Sequence, residues 1–284
     1  MAGKLRTAAT AAVLGTALLG LPAATAGAQE LTPDNPPVPP VPPTAQAPPP
    51  AAEAPLEPVP GNVADPFEAL TKPGDRAMLS DELSITRWAH PQDQSKVRAL
   101  PSVSAPAIGR LRFLTEDGLA EVYIALDARV DAAKRAWVRI RVLGRPNGRT
   151  GWVRREALGD LLVVRTRLVI QRAALRATLY KSNTPIWSAR VGIGKAGTPT
   201  PLGVFYVRER LRGSGGVYGP WAFGTSAYSA LSDWPGGGVV GIHGTNQPGL
   251  IPGRPSHGCI RVRNDKVRRL ARLMPIGTPI HIVR

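Results

Sequence analysis

The chain's only cysteine, Cys259, lies in Pro255-Ser256-His257-Gly258-Cys259-Ile260-Arg261, sixteen residues after His243 in Ile242-His243-Gly244-Thr245-Asn246. A free thiol titrates near pH 8.5, so an imidazole that takes its proton or lowers its pKa raises the nucleophilic fraction at neutral pH. His257 is two positions from Cys259 and shares its face on an extended segment, whereas His243 must arrive from a neighbouring strand or loop. Separation along the chain does not count against His243, because catalytic partners usually meet only in the fold. Gly258 lets the backbone approach a substrate and leaves N–H groups free to converge on one carbonyl, as an oxyanion hole requires. Zinc is the rival chemistry for Cys259, His243, His257 and His281, but no C-x-x-C or H-x-x-x-H spacing supports it. The reading is therefore a thiol nucleophile with no metal and no cofactor.

The elements that must position these residues read as mainly β. Over 160–284, apolar alternation in Leu162–Ile170, Arg176–Tyr180, Trp187–Val191 and Gly203–Val207 predicts strands of an antiparallel or mixed sheet, and Pro279–Val283 a closing strand. One helix is clear: Asn264 is placed to cap it, Asp265 suits its N-terminus, and Val267, Leu270, Ala271 and Met274 recur at helical spacing before Pro275 and Gly277 stop it. Upstream, 75–159 reads as a small barrel with short strands at Gly109–Leu114, Ala120–Ile124, Ala136–Val142 and Gly151–Arg154. His90 in this block reads as an incidental surface residue.

Residues 1–28 read as a secretory signal: Lys4 and Arg6 precede an apolar core, and Ala26-Gly27-Ala28 fits a cleavage site. If the leader stays uncleaved it tethers the chain to the membrane; otherwise no stable span is expected. Export to the cell wall or periplasmic space makes an unpaired cysteine a retained nucleophile or an intermolecular partner, and the neighbouring histidines favour the first. Residues 29–74 form a Pro-rich linker, with thirteen of the thirty prolines between Leu31 and Pro60. Charge is uneven: residues 161–284 hold eighteen Lys and Arg against three acids, so nearly all of the net +16 lies there. Without a nucleic-acid-binding signature, such a field suits anionic cell-wall polymers rather than nucleic acid.

Two resemblances add to this reading. Ile242–Asn246 with Ser256–Arg261 resembles the catalytic signature of the L,D-transpeptidases with a YkuD-type domain, supported by Val191–Gly194, Thr198–Tyr206 and Gly219–Ser226. Arg98–Ser104 with Trp137 and Gly148–Val153 is similar to bacterial Src-homology-3-like domains of wall-associated enzymes, which would make 75–159 an SH3-like barrel. The first resemblance implies Cys259 as nucleophile and His243 as its base. It implies substrate-binding or oxyanion roles for Ser256, His257, Gly258, Gly244, Thr245 and Asn246. Arg261 departs from the family pattern, standing where some members carry Asn; its charge suits a substrate-binding contact with a stem-peptide carboxylate and no part in the chemistry. The implied activity is acylation of Cys259 by a peptidoglycan tetrapeptide stem, release of D-alanine and transfer to an amine. An L,D-carboxypeptidase of the same fold, or a wall-binding protein with an inert catalytic domain, is the alternative. SH3 resemblance implies wall or peptide binding, with a shielding module as the alternative.

Overall fold

The computed structural model describes residues 66–284 apart from Ser214 and Trp234. The expected signal segment, 1–28, and most of the expected Pro-rich linker, 29–74, lie outside the described residues. Contacts group every described residue into one unit, Pro49–Arg284. No helix among the described residues is long and apolar enough to cross a membrane.

The first sheet comprises β1 (Arg76–Met78), β2 (Thr86–Ala89), β3 (Lys96–Arg98), β4 (Ala107–Arg110), β5 (Tyr123–Val130), β6 (Ala136–Arg141), β7 (Thr150–Arg154) and β8 (Leu162–Val164). They pair in the order β4-β3-β7-β6-β5-β2-β8, with β1 also on β5. The second comprises β9 (Thr166–Gln171), β10 (Arg176–Lys181), β11 (Thr184–Gly194), β12 (Gly203–Arg212), β13 (Trp221–Tyr228), β14 (Val239–His243), β15 (Gly253–Ser256), β16 (Ile260–Val262) and β17 (Pro279–Val283). Their order is β10-β9-β17-β12-β13-β14-β16-β11-β15, and the pairing of β10 with β11 brings the path back on itself. The sheet is mixed: β9 with β17, β11 with β15 and β14 with β16 run parallel.

Strand alternation fixes which face is core. Leu168 and Ile170 of β9, and Ala177 and Leu179 of β10, point into one cluster with Phe205, Phe223, Ile242 and Ile260. Leu79, Val97, Tyr123, Val138, Ile140 and Val153 fill the core of the first sheet. A third cluster lies between the sheets, where Trp88, Val122, Ile124, Leu126 and Val164 meet Tyr206. Leu162–Ile170, which alternates like one strand, is thus two: Val164 serves the intersheet cluster, and after Arg165 the chain enters the second sheet.

Helix α1 (Asn264–Ala271) buries Val267, Leu270 and Ala271 against the second core, and Met274 follows them beyond its end. Asn264 is not its cap. Arg263 occupies that position with no side-chain capping bond, and the Asn264 side chain instead accepts the Thr245 N–H.

Candidate active site

Parallel strands β14 and β16 bring the two sequence motifs together, with Ile242 beside Ile260 and His243 beside Arg261. Ile242 and Ile260 point into the core, which sends their neighbours His243 and Cys259 to other surroundings. Cys259 is partly exposed, and its Sγ accepts a hydrogen bond from the Gly241 N–H at 3.4 Å. A Cβ on Gly241 would stand 4.0 Å from Sγ and 3.8 Å from His243 Cδ2, so this glycine borders both groups and keeps a side chain from covering them.

His243 is buried, with its Nδ1 2.6 Å from the Gly244 carbonyl oxygen. A carbonyl only accepts, so Nδ1 carries the proton and Nε2 is left as the basic nitrogen. The Tyr218 ring meets the imidazole edge-on at 5.0 Å. Burial holds the His243 pKa down, to about 4, and the nearby Arg261 charge pushes the same way, while the Gly244 bond opposes them. Burial pushes the Cys259 thiol up, opposed by the Gly241 N–H and Arg261. At neutral pH the resting pair is therefore thiol and neutral imidazole.

The loop before the thiol is held from three sides. Gly258 has φ +129°, a conformation that side-chain-bearing residues rarely adopt. Its carbonyl accepts from Thr200 Oγ1 at 2.7 Å, and the His257 carbonyl accepts from Ser229 Oγ at 3.0 Å. Because N–H and C=O of a trans peptide point oppositely, the Thr200 bond aims the Cys259 N–H away from Thr200. Ser256 is buried; its hydroxyl donates to the Cys259 carbonyl at 2.6 Å and accepts from the Gly258 N–H at 3.2 Å. The Gly258 amide is thus already engaged, leaving the Cys259 amide the better placed of the two for a substrate oxyanion.

The 244–246 loop is built around Asn264, whose Oδ1 accepts the Thr245 N–H at 2.8 Å. A Cβ on Gly244 would come within 2.4 Å of that oxygen and 2.9 Å of Pro220 Cδ, so only glycine fits there. Thr245 is buried and its Oγ1 accepts the Gln247 N–H at 3.0 Å, while Asn246 is exposed. Arg261 donates to Gln247 Oε1 at 3.1 Å. His257 is partly exposed, and burial with the Lys195 and Arg261 charges lowers its pKa.

His281 lies apart from this constellation, with Nε2 2.9 Å from the Glu82 carbonyl oxygen. His90 is not the incidental surface residue expected: its Nδ1 is 2.7 Å from the Glu121 carbonyl oxygen and its ring stands edge-on to Trp88. Sequence reasoning missed Tyr218, Thr200, Ser229 and the site role of Asn264. Thr200 falls within Thr198–Tyr206, a segment already singled out, but Ser229 carried no local signal.

Residues 165–282 match the YkuD family, described as the L,D-transpeptidase catalytic domain. A Bacillus subtilis (strain 168) protein named as an L,D-transpeptidase, YkuD, is 33% identical over 127 residues, which is 45% of this chain and 71% of that protein. A Salmonella typhimurium (strain LT2) protein named as an L,D-transpeptidase, ErfK/SrfK, is 32% identical over 139 residues, covering 42% of this chain and 45% of its own length. The solved catalytic domain of an E. faecium L,D-transpeptidase is 24% identical, covers 42% of this chain and 96% of that one, and has a TM-score of 0.32.

Proposed function

The chain belongs to the YkuD-type L,D-transpeptidase family, and from that premise we propose that Cys259 carries a two-step acyl transfer on peptidoglycan stem peptides. The observation that supports this most is the juxtaposition across β14 and β16: a partly exposed thiol beside Gly241, and a buried His243 whose Nδ1 is tied to Gly244, leaving Nε2 as base.

In the first step His243 Nε2 takes the thiol proton as Sγ attacks the carbonyl that follows the L-centre of the diamino acid in a tetrapeptide stem. The developing oxyanion is met by backbone N–H groups of the thiol loop, with the Cys259 amide the best placed. The C–N bond breaks, the imidazolium returns its proton to the departing amine of D-alanine, and a thioester remains on Cys259. In the second step an amine of another stem gives a proton to His243 and attacks the thioester. The C–S bond breaks, a new amide forms, and the thiolate recovers the proton. Since burial favours neutral forms of both thiol and imidazole, proton transfer accompanies attack instead of preceding it. Arg261, charged and beside the pair, is suited to a stem carboxylate.

The exported location belongs to this proposal, resting on the leader sequence and on a substrate that lies outside the cytoplasm. The test is incubation with disaccharide tetrapeptide followed by mass spectrometry. A cross-linked dimer with free D-alanine is the expected product. Trimmed tripeptide alone would make the protein a hydrolase of the same fold, and unchanged substrate would overturn the proposal.

A further inference from the structure

We propose that Arg145, on the turn between β6 and β7 of the first sheet, is a positioning residue for the thiol loop of the second sheet, acting through Ser229. Arg145 spreads its guanidinium over three carbonyls of one loop. Nε donates to Ser229 O at 3.0 Å, and Nη2 shares its two N–H among Ser229 O at 2.8 Å, Leu231 O at 2.8 Å and Gly237 O at 3.0 Å. Its cation sits 5.2 Å from the Tyr228 ring centroid. Asn147 of the same turn binds the Tyr228 backbone twice, donating to its carbonyl at 2.8 Å and accepting its N–H at 2.9 Å. The turn therefore fixes both residues at the start of the loop.

Ser229 converts that grip into geometry at the thiol. It is buried, its N–H is held by Gly238 O at 2.8 Å, and its hydroxyl donates to the His257 carbonyl at 3.0 Å. A Cβ on Gly258 would lie 3.3 Å from Ser229 Oγ, so the serine is also the wall behind the residue that precedes Cys259. The Arg145 contacts are to backbone carbonyls, so a planar, five-donor guanidinium serves where a lysine ammonium would not. A displacement of the His257 carbonyl tilts the His257–Gly258 peptide and, through Gly258, the next peptide plane, whose N–H is that of Cys259; misplacing that oxyanion donor slows acylation without harming the thiol itself.

The inference rests on Cys259 being the nucleophile, and the test separates the two. In the full chain, Arg145→Gln, Ser229→Ala and the double variant are compared by two rates: acylation by imipenem, whose carbonyl becomes an oxyanion on attack, and alkylation by iodoacetamide, which needs only the thiol. Each single variant should acylate roughly tenfold or more slowly, with alkylation and its pH profile close to wild type. The double variant should be little slower than the slower single, because both act through one chain of contacts. Wild-type acylation in a folded variant, equal slowing of both reactions, or multiplication of the two single effects would overturn the positioning role. Should Arg145→Gln fail to fold, Ser229→Ala with the same two rates decides. Imipenem labelling that persists in Cys259→Ala would instead count against the nucleophile assignment.

Discussion

In the region of the first sheet four acids each meet an arginine of the same region, Glu82 with Arg141, Asp127 with Arg139, Asp131 with Arg135 and Glu156 with Arg154. The region of the second sheet has only three acids for eighteen cations. Its fully buried Arg208 is matched from outside, by Glu121, which is also fully buried, and by Glu116 at 2.8 Å. Beside this pair the Tyr206 hydroxyl donates to the Val122 carbonyl at 3.0 Å. The region with the chemistry therefore borrows the counter-charge of its fully buried arginine from the region without it.

If chemistry lies on one side of this division and support on the other, variants should sort accordingly. Cys259→Ala should abolish acyl transfer while unfolding at the wild-type denaturant midpoint, because a methyl replaces a thiol with little change in packing. Turnover surviving in a purified Cys259→Ala sample would place the chemistry elsewhere. His243→Ala should lower transfer by about a hundredfold to ten-thousandfold, the usual range for a lost general base. His281→Ala, at a residue whose Nε2 is tied to the Glu82 carbonyl and not to the thiol loop, should leave steady-state transfer nearly intact; similar mild losses in both would remove His243 from the mechanism.

Glu121→Ala probes the supporting side. Stranding Arg208 without its main counter-charge should cost about 3–5 kcal/mol in urea unfolding. A loss under about 1 kcal/mol, the scale of an exposed pair, would show that the two regions do not depend on each other through this contact.

A smaller effect follows from His243 itself. Its pKa is lowered from 6.5 to about 4 in the folded chain, so between those values the unfolded chain binds the extra proton. Stability should be complete above about pH 6.5 and decline as pH falls toward 4, by about 3 kcal/mol at most from this group. Comparing wild type with His243→Gln over that window isolates the contribution, and parallel curves would contradict it. The least effect is expected from surface charge: adhesion of the full chain to purified sacculi should weaken as salt rises past about 0.15 M, where the screening length is roughly 8 Å. Salt-independent adhesion would assign recruitment to shape and hydrogen bonding instead of the positive field.

The β6, β7 and β17 segments were legible because each alternates between one core and a different environment. β5 was not: Tyr123 and Ala125 face the first core while Ile124 and Leu126, with Val122 just before the strand, face the intersheet cluster. With both faces buried, period two is masked, and the expected Ala120–Ile124 strand becomes Tyr123–Val130. At the site, Cys259 and His243 stood out by residue type and glycine company. Ser229 and Arg145 did not, since a hydroxyl or guanidinium bonded to a distant carbonyl leaves no local pattern, and Thr200 stood out only as part of Thr198–Tyr206, without its task. Asn264 was misleading for a related reason: an asparagine at a helix start is an ordinary cap, and only the approach of Gly244 and Thr245 gives its oxygen another task.

If Cys259 takes the acyl group of a tetrapeptide stem, intact-protein mass spectrometry during turnover shows it most directly. The predicted result is a covalent adduct on Cys259 with the mass of the disaccharide tetrapeptide less D-alanine, discharged when a second stem bearing a free amine is added. Release of D-alanine from a chain that never carries an adduct, or the same adduct on Cys259→Ala, would contradict it.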